Sequence, residues 1–316
     1  MRFIDAAEVR ARLTYPLCIP IVRNAMIAFS RGETRQLLRS IIPLGAGKIF
    51  GIMPGALGGE ALFGAKLVSI FHDNVLKGGP SHQGVVVLFD GKTGAPVCIV
   101  DGGEITAIRT AAASAVATDA LARPDATRLA ILGSGVQALA HARAIAEVRA
   151  LSHITVWARA SDKAARLAET IGAELAVATV AAPSVEAAVS DAQIVCTVTG
   201  AAEPILLSQW IKPGTHLNVV GSSVAGPAEI DEALVARARF IADSREGVLA
   251  QGGEFLRAKQ TGLVDDAHVV GEIGEVLAGT LEGRQSPDQV TIYKSLGHVV
   301  QDLAAAGALY ATAVEP

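Results

Sequence analysis

The chain has 316 residues, 51% of them hydrophobic and 18% charged, with a formal net charge of -4. That length and composition suffice for two domains with separate cores, and no basic patch interleaved with aromatics occurs, which argues against a nucleic-acid partner. Asp5 and Glu8 fall where a signal peptide would be apolar, and no run reaches the eighteen or so uninterrupted apolar residues of a membrane span, so the expected location is the cytoplasm, with no membrane partner.

Apolar spacing predicts helices over 5–13 and 17–31, with Pro16 restarting the chain between them. Strand-like runs follow at 37–43, 48–53 and 62–70. After the turn-rich Lys77-Gly78-Gly79-Pro80 come two more, 85–90 and 95–100, around a hairpin signal at 90–94. Cys18, Cys98 and Cys196 are odd in number, widely spaced and set in apolar surroundings, as core residues would be. The seven histidines lack metal-ligand spacing, and no metal is expected.

A third helix, 103–121, carries small residues nearly all round, which implies close packing against other backbone. From 129 onward strands (129–132, 153–158, 175–178, 193–198, 215–220, 239–242) alternate with helices (136–149, 162–171, 184–190, 229–238). That rhythm predicts an α/β protein with a Rossmann-type doubly wound parallel sheet. Helices over 246–259 and 271–279, a turn at 283–288, a strand at 290–293 and a last helix at 298–312 complete the chain. The last helix has no place in that sheet and is expected to return to the first domain. The expected division is a discontinuous α+β domain, 1–120 with 293–316, and a Rossmann domain over 121–292.

The run Leu129-Ala130-Ile131-Leu132-Gly133-Ser134-Gly135-Val136-Gln137-Ala138 reads as strand, turn and helix. Gly133 and Gly135 stand where the G-x-G-x-x-A fingerprint needs residues without a Cβ, one to turn tightly and one to admit a pyrophosphate, and Ala138 allows close helix–strand packing. The free N–H groups of the helix start would hold the dianion. The second strand closes on Trp157-Ala158-Arg159-Ala160-Ser161-Asp162-Lys163, without the acid that selects NAD through its ribose. Arg159, Ser161 and Lys163 suit a 2′-phosphate, so NADPH is the expected cofactor, with NADH as the alternative should Arg159 and Lys163 be merely solvated.

Three cations stand in otherwise apolar segments: Arg39 in 37–43, Lys66 in 62–70, and Arg109 in the middle of the third helix. A buried unpaired cation is costly, and none of these segments carries an acid at pairing distance. The three are therefore expected to converge on an anion from outside, such as the carboxylate of a small 2-oxo or 2-imino acid. For Lys66 an edge-strand charge, and for Arg39 a solvated strand face, are the alternatives.

At these residues the whole chain resembles the ornithine cyclodeaminase/μ-crystallin family. The motifs that carry the likeness are Arg39 in Leu-Arg-Ser-Ile-Ile-Pro, Gly51-Ile52-Met53-Pro54, Ala65-Lys66-Leu67-Val68, Ser81-His82-Gln83, 105–112 around Arg109, 133–138, Thr197-Val198-Thr199, Gly271-Glu272-Ile273-Gly274-Glu275-Val276 and Lys294-Ser295-Leu296-Gly297. The resemblance implies a homodimer built on the first domains, which also bind substrate, and an active site between the domains. It implies that Arg39, Lys66 and Arg109 hold the substrate carboxylate. Ser81, Thr110, Gly135, Val136, Gln137, Arg159, Val198 and Thr199 match cofactor-contacting positions; His82, Arg109, Gly133, Ser161, Lys163, Thr197, Val220 and Lys294 complete the expected set. Met53, Leu296 and Ser223 are the expected remaining substrate contacts.

The chain departs from the family's cyclodeaminases and alanine-dehydrogenase-like members at Ser223, where those carry an Asp that helps the chemistry at the amine-bearing carbon. A serine hydroxyl is no carboxylate base at neutral pH, and Ser223 resembles the family's ketimine reductases. The expected activity is NADPH-dependent reduction of cyclic 2-imino acids, Δ1-pyrroline-2-carboxylate to L-proline and Δ1-piperideine-2-carboxylate to L-pipecolate. The protonated imine is the electrophile, and Lys66, or a water held by Ser223 or His82, supplies the proton. The rivals are an ornithine or lysine cyclodeaminase with bound NAD, a reductive-aminating dehydrogenase of acyclic 2-oxo acids, and a non-catalytic protein that sequesters a nucleotide or small acid.

Overall fold

The computed structural model describes residues 1–71, 73–74 and 78–312. Lys77 of the expected turn and residues 313–316 of the expected first domain lie outside the described residues. The chain divides into two compact units, Met1–Arg109 with His298–Pro316, and Thr110–Gly297. The first break falls in mid-helix, where one after 120 was expected, and the second at 297 rather than 292.

The first unit opens with β1 (Arg2–Ile4), too short to be predicted, then α1 (Ala6–Arg12) and α2 (Tyr15–Ser30). Asp5 caps α1 by accepting the Glu8 N–H at 2.8 Å, and Pro16 sits in the first turn of α2, where a missing N–H costs little. The strands are β2 (Arg35–Gln36), β3 (Ser40–Gly45), β4 (Lys48–Ala56), β5 (Phe63–Ile70), β6 (His82–Phe89) and β7 (Pro96–Asp101). They form one sheet in the order β1-β7-β6-β5-β4-β2, with β3 also paired to β4. Only β1 and β7 run parallel; the rest are antiparallel, as short connections require. The strand expected at 37–43 begins at Ser40, so Arg39 precedes β3 rather than lying within it.

Asp101 starts α3 (Gly102–Leu121) by accepting the Glu104 N–H at 2.8 Å. The helix is buried along most of its length, and the fully buried polar groups of its second half are matched one by one: Ser114 Oγ meets His141 Nε2 at 2.9 Å, and Thr118 Oγ1 accepts from Asn218 at 2.9 Å.

The second unit runs β8 (Arg128–Leu132), α4 (Val136–Ala146), β9 (His153–Trp157), α5 (Ser161–Leu175), β10 (Ala178–Ala181), α6 (Val185–Val189), β11 (Ile194–Thr197), β12 (His216–Val219), α7 (Glu232–Arg237), β13 (Arg239–Ala242), α8 (Arg245–Gln251), α9 (Gly253–Gln260), β14 (Val269–Glu272), α10 (Ile273–Leu277) and β15 (Thr291–Lys294). Its sheet is wholly parallel, in the order β10-β9-β8-β11-β12-β15-β13-β14. The order reverses between β8 and β11, the switch point at which such sheets bind ligands. Three expectations are corrected. The strand at 175–178 lies instead at 178–181, because α5 runs on to Leu175 and ends on a left-handed Ala176, φ 53. The single helix over 246–259 is two, broken at Gly252, where a Cβ would stand 2.8 Å from the Val248 carbonyl oxygen. The helix over 271–279 is the end of β14 followed by the short α10.

α11 (Val299–Ala311) returns to the first unit and packs on β4, β5, β6 and α2. The contact is close: a Cβ on Gly55 would lie 2.7 Å from Val299 Cγ1 and 3.3 Å from the Arg35 carbonyl oxygen. Among the described residues no single helix is long and apolar enough to cross a membrane. Gly55→Ala is expected to lower unfolding stability by about 1–3 kcal/mol through overpacking under α11; denaturant titration with an unchanged midpoint would show that this contact is slack.

Candidate active site

In the first unit the sheet presents Lys66 from the middle of β5, with Met53 of β4 and Val86 of β6 as its cross-strand neighbours. Both methionine and lysine are buried. α3 brings Arg109 to the same place, 3% exposed, and α11 covers it with Asp302, fully buried. Asp302 Oδ1 accepts from Lys66 Nζ at 3.1 Å and from Arg109 Nε at 3.0 Å. Arg109 Nη1 donates to the Gln301 side-chain oxygen at 2.7 Å, and Gln301 in turn donates to Met26 Sδ at 3.2 Å.

This corrects the inference that the buried cations have only an external anion for a partner. The acid comes from the last helix, 236 residues from Lys66 and 193 from Arg109, a distance that no reading of single segments bridges. Its signal was nonetheless present, since Gln301-Asp302 interrupts an apolar helix as Arg109 does. One carboxylate does not exhaust the cations: Lys66 Nζ keeps two further N–H groups, and Arg109 Nη2 has no partner among the described residues.

Burial lowers the Lys66 pKa to about 8 against the opposing pull of Asp302, while Arg109 and Arg39 add to the lowering. Burial pushes the Asp302 carboxyl upward, but Arg109 and Lys66 outweigh it and hold the group below its ordinary value. Arg39, half-buried ahead of β3, is thus within electrostatic reach of Lys66. His298, which the sequence reading did not single out, belongs to the same surroundings. It caps α11, lies 4.1 Å from the Phe29 ring, and is lowered to about 4 by burial, with Asp302 opposing and Arg109 and Arg39 assisting. Ser81 and His82 stand at the start of β6, hydrogen-bonded to each other at 2.9 Å.

In the second unit the glycine turn has the form a pyrophosphate needs. Gly133 has φ 137, and a Cβ there would stand 2.7 Å from the Val198 carbonyl oxygen. At Gly135 a Cβ would meet nothing within 4 Å; no protein contact demands glycine there, whereas a ligand approaching the backbone would. Gly135 is the N-cap of α4, with no side-chain cap, so the helix leaves its first N–H groups open. Val136, 73% exposed, and Gln137 begin the helix beside them. Past the end of β9, Arg159, Ser161 and Lys163 are exposed at the start of α5, which also lacks a side-chain cap, and Arg159 has no partner among the described residues. These residues fit a dinucleotide.

The remaining expected positions gather at the C-terminal strand ends of the same sheet. The Val220 N–H donates to the Thr197 carbonyl at 3.1 Å and that of Val198 to the Leu132 carbonyl at 2.9 Å. Thr197 and Thr199, however, turn their hydroxyls to the buried Glu229, which accepts them at 2.8 and 2.7 Å together with the N–H groups of Thr199 and Gly221, each at 2.6 Å. Burial raises the Glu229 pKa against these donors and the Lys294 charge. Gly221 is required by this approach, since a Cβ would stand 2.1 Å from the Thr199 carbonyl oxygen and 2.5 Å from Glu229 Oε1.

Lys294, expected to touch the cofactor, is wholly buried. Its ammonium donates to the Ser222 carbonyl at 2.7 Å and hydroxyl at 2.8 Å and pairs with Glu254 at 2.8 Å. Two hydrogen bonds and an ion pair engage its buried ammonium, so its side chain is a strut behind the loop that carries the half-buried Ser223. Ser222 donates to Glu254 at 2.6 Å, and Asp243 accepts the Leu296 and Gly297 N–H groups at 2.8 and 2.7 Å. Leu296 packs in the second unit's hydrophobic core. Thr110, on α3, is buried.

A parallel sheet with a glycine turn at its switch point, joined to a mixed sheet that buries a cation pair, defines a Rossmann-type dinucleotide-binding α/β protein. The chain belongs to the ornithine cyclodeaminase/mu-crystallin family, whose model matches residues 2–316. It is 36% identical over 313 residues to the ketimine reductase mu-crystallin of Mus musculus, covering 98% of this chain and 96% of that protein. The solved Δ1-pyrroline-2-carboxylate reductase of Thermococcus litoralis, in complex with NADH and L-proline, superposes with a TM-score of 0.96 at 32% identity, covering 99% of this chain and 98% of that one. An archaeal alanine dehydrogenase dimer with bound NAD gives 0.93 at 26% identity, covering 99% and 95%.

Lys294→Met leaves Glu254 buried without its cation, and is expected to cost about 3–5 kcal/mol of stability while leaving nucleotide affinity of the folded protein unaltered. A variant of undiminished stability that loses nucleotide affinity would instead make Lys294 a cofactor ligand.

Proposed function

We propose that the protein is an oxidoreductase that reduces the C=N bond of small cyclic 2-imino acids with NADPH, turning Δ1-pyrroline-2-carboxylate into L-proline and Δ1-piperideine-2-carboxylate into L-pipecolate. The observation that carries the reading is the buried cluster of Lys66 and Arg109, with Arg39 nearby, set against the single carboxylate of Asp302. Such a cluster keeps excess positive charge and spare donors for a small carboxylate. The likeness to the mouse ketimine reductase and to the archaeal reductase with NADH and proline supports the imine as the acceptor.

The reduced nicotinamide, when bound, supplies the hydride. Arg39, Lys66 and Arg109 hold the substrate carboxylate and thereby fix the position of C2, converting an encounter into an oriented transfer. Their charge also favours a substrate that is anionic at its carboxylate over a neutral imine. Lys66, with its pKa lowered to about 8 by burial, is the member of the cluster able to exchange a proton with the imine nitrogen near neutral pH. Ser223 cannot act as the carboxylate base that deamination of an amino acid would use. Arg159, exposed at the start of α5, supports NADPH over NADH. The relatives with NADH or NAD in their sites make the cofactor the first point to measure.

The same reading includes a homodimer. Leu37, Leu38, Ile41, Ile42 and Leu44 are exposed along β3 and the segment before it, an apolar edge that a second copy would cover.

The test is consumption of NADPH or NADH with Δ1-pyrroline-2-carboxylate, Δ1-piperideine-2-carboxylate, and pyruvate plus ammonia or methylamine. Turnover of a cyclic imine with NADPH is expected, and Arg159→Asp should move the NADPH/NADH preference about tenfold or more toward NADH. Inactivity toward all of these, with ammonia released from ornithine in the presence of NAD, would make the protein a deaminase.

A further inference from the structure

We infer that Asp302, together with Gln301 beside it on α11, is the positioning group of the substrate site: it fixes the spacing of Lys66 and Arg109 and sets the charge that meets the substrate carboxylate. The inference rests on the imino-acid reading above and deepens it.

Three observations carry it. Both cations bind the same oxygen, Oδ1, at 3.1 and 3.0 Å, while Oδ2 accepts no hydrogen bond among the described residues. The two charges are therefore tied through one atom, and a shift of the carboxylate moves both. Arg109 is held on two sides, at Nε by Asp302 and at Nη1 by Gln301, which fixes the plane of the guanidinium and leaves Nη2 without a partner among the described residues. Gln301 is itself held by Met26 of α2 at 3.2 Å, so the anchoring runs into the helical layer of the unit rather than into a mobile side chain.

The same geometry makes Asp302 the group that keeps Lys66 charged. The charged or titratable groups that face the pair are Lys66 from β5, Arg109 from α3, Arg39 ahead of β3, His298 at the cap of α11 and Cys18 from α2. Burial holds Cys18 up at about 12 and His298 down at about 4, so both are neutral around pH 7. Asp302 is then the sole anion of the group. Without it, a buried ammonium would stand beside two guanidinium groups, and its proton would leave at lower pH.

The sign of the effect follows. Substrate capture needs Lys66 protonated, so kcat/KM for the imino acid should fall as pH rises through the Lys66 pKa of the free enzyme, about 8. In Asp302→Asn that descending limb should move down by about one to three pH units. kcat/KM at neutral pH should drop roughly 100-fold, with the KM for the nucleotide unchanged. Asp302→Glu keeps the charge but displaces the oxygen; it should keep the limb near its original pH and still lose rate. The Lys66 pKa should also be read directly, by NMR of reductively 13C-methylated protein, with the resonance assigned through Lys66→Arg, because that readout needs no turnover and a merely structural role would not move it.

A limb and a Lys66 resonance that titrate at the same pH in Asp302→Asn as in the wild type overturn the inference. If Asp302→Asn does not fold, Asp302→Glu with wild-type kcat/KM overturns it as well. A wild type that reduces no imino acid overturns the reading on which the inference rests, and is recognised because the wild type itself fails.

Discussion

Placing two cations inside a sheet–helix layer is the constraint around which the first unit is built. Each buried charge carries a desolvation penalty of several kcal/mol unless it is paired and hydrogen-bonded. Asp302 offsets that penalty for Lys66 and Arg109 at once, and it does so from α11, the helix that leaves the first unit's sequence neighbours far behind and returns at the end of the chain. The discontinuity of the unit is thus chemically useful. A strand, a central helix and a C-terminal helix each supply one charge, and none of the three segments is self-sufficient. The imbalance that remains, with Arg39 close by, leaves the cluster with more positive than negative charge.

Buried charge serves a different purpose in the second unit. Glu229 collects the ends of β11 and β12 through Thr197, Thr199 and Gly221, and the Lys294–Glu254 pair grips Ser222. These groups lie at the C-terminal strand ends, where a doubly wound sheet binds its ligand and where backbone runs out of ladder partners. The carboxylates take up the orphan N–H groups there, so the loop bearing Ser223 is braced from behind. Side chains that a motif comparison places near a cofactor can therefore be occupied entirely by the protein, as Lys294 is.

Much of the fold was legible because its signals are local. The β-α alternation after residue 129, the glycine turn and the uniformly small residues of α3 each follow from periodicity within a dozen residues. Errors arose where local signals compete. Gly252 ends one helix and starts the next in an extended conformation where a side chain would crowd the Val248 carbonyl, a constraint invisible in composition, and β14 is four residues that merge into a helical pattern. Lys66 and Arg109 were identifiable as cations out of place, yet their partner was not, because pairing across 236 or 193 residues is decided by topology. The same holds for Glu229, Glu254 and Lys294, whose roles appear only when strand ends are brought side by side. Arg159 depends on no such pairing: it lies two residues past the end of β9 and is exposed.

The central claim is that the cation cluster recognises the substrate through its carboxylate. The most direct measurement compares kcat/KM of the wild-type protein for Δ1-pyrroline-2-carboxylate and for 1-pyrroline, the same ring without the carboxylate, under identical NADPH and pH. The account predicts a loss of roughly 100-fold or more for 1-pyrroline, the scale of removing one partner from a desolvated charge pair. Equal kcat/KM values for the two imines would contradict it, and would assign Lys66, Arg109 and Asp302 to the stability of the first unit alone.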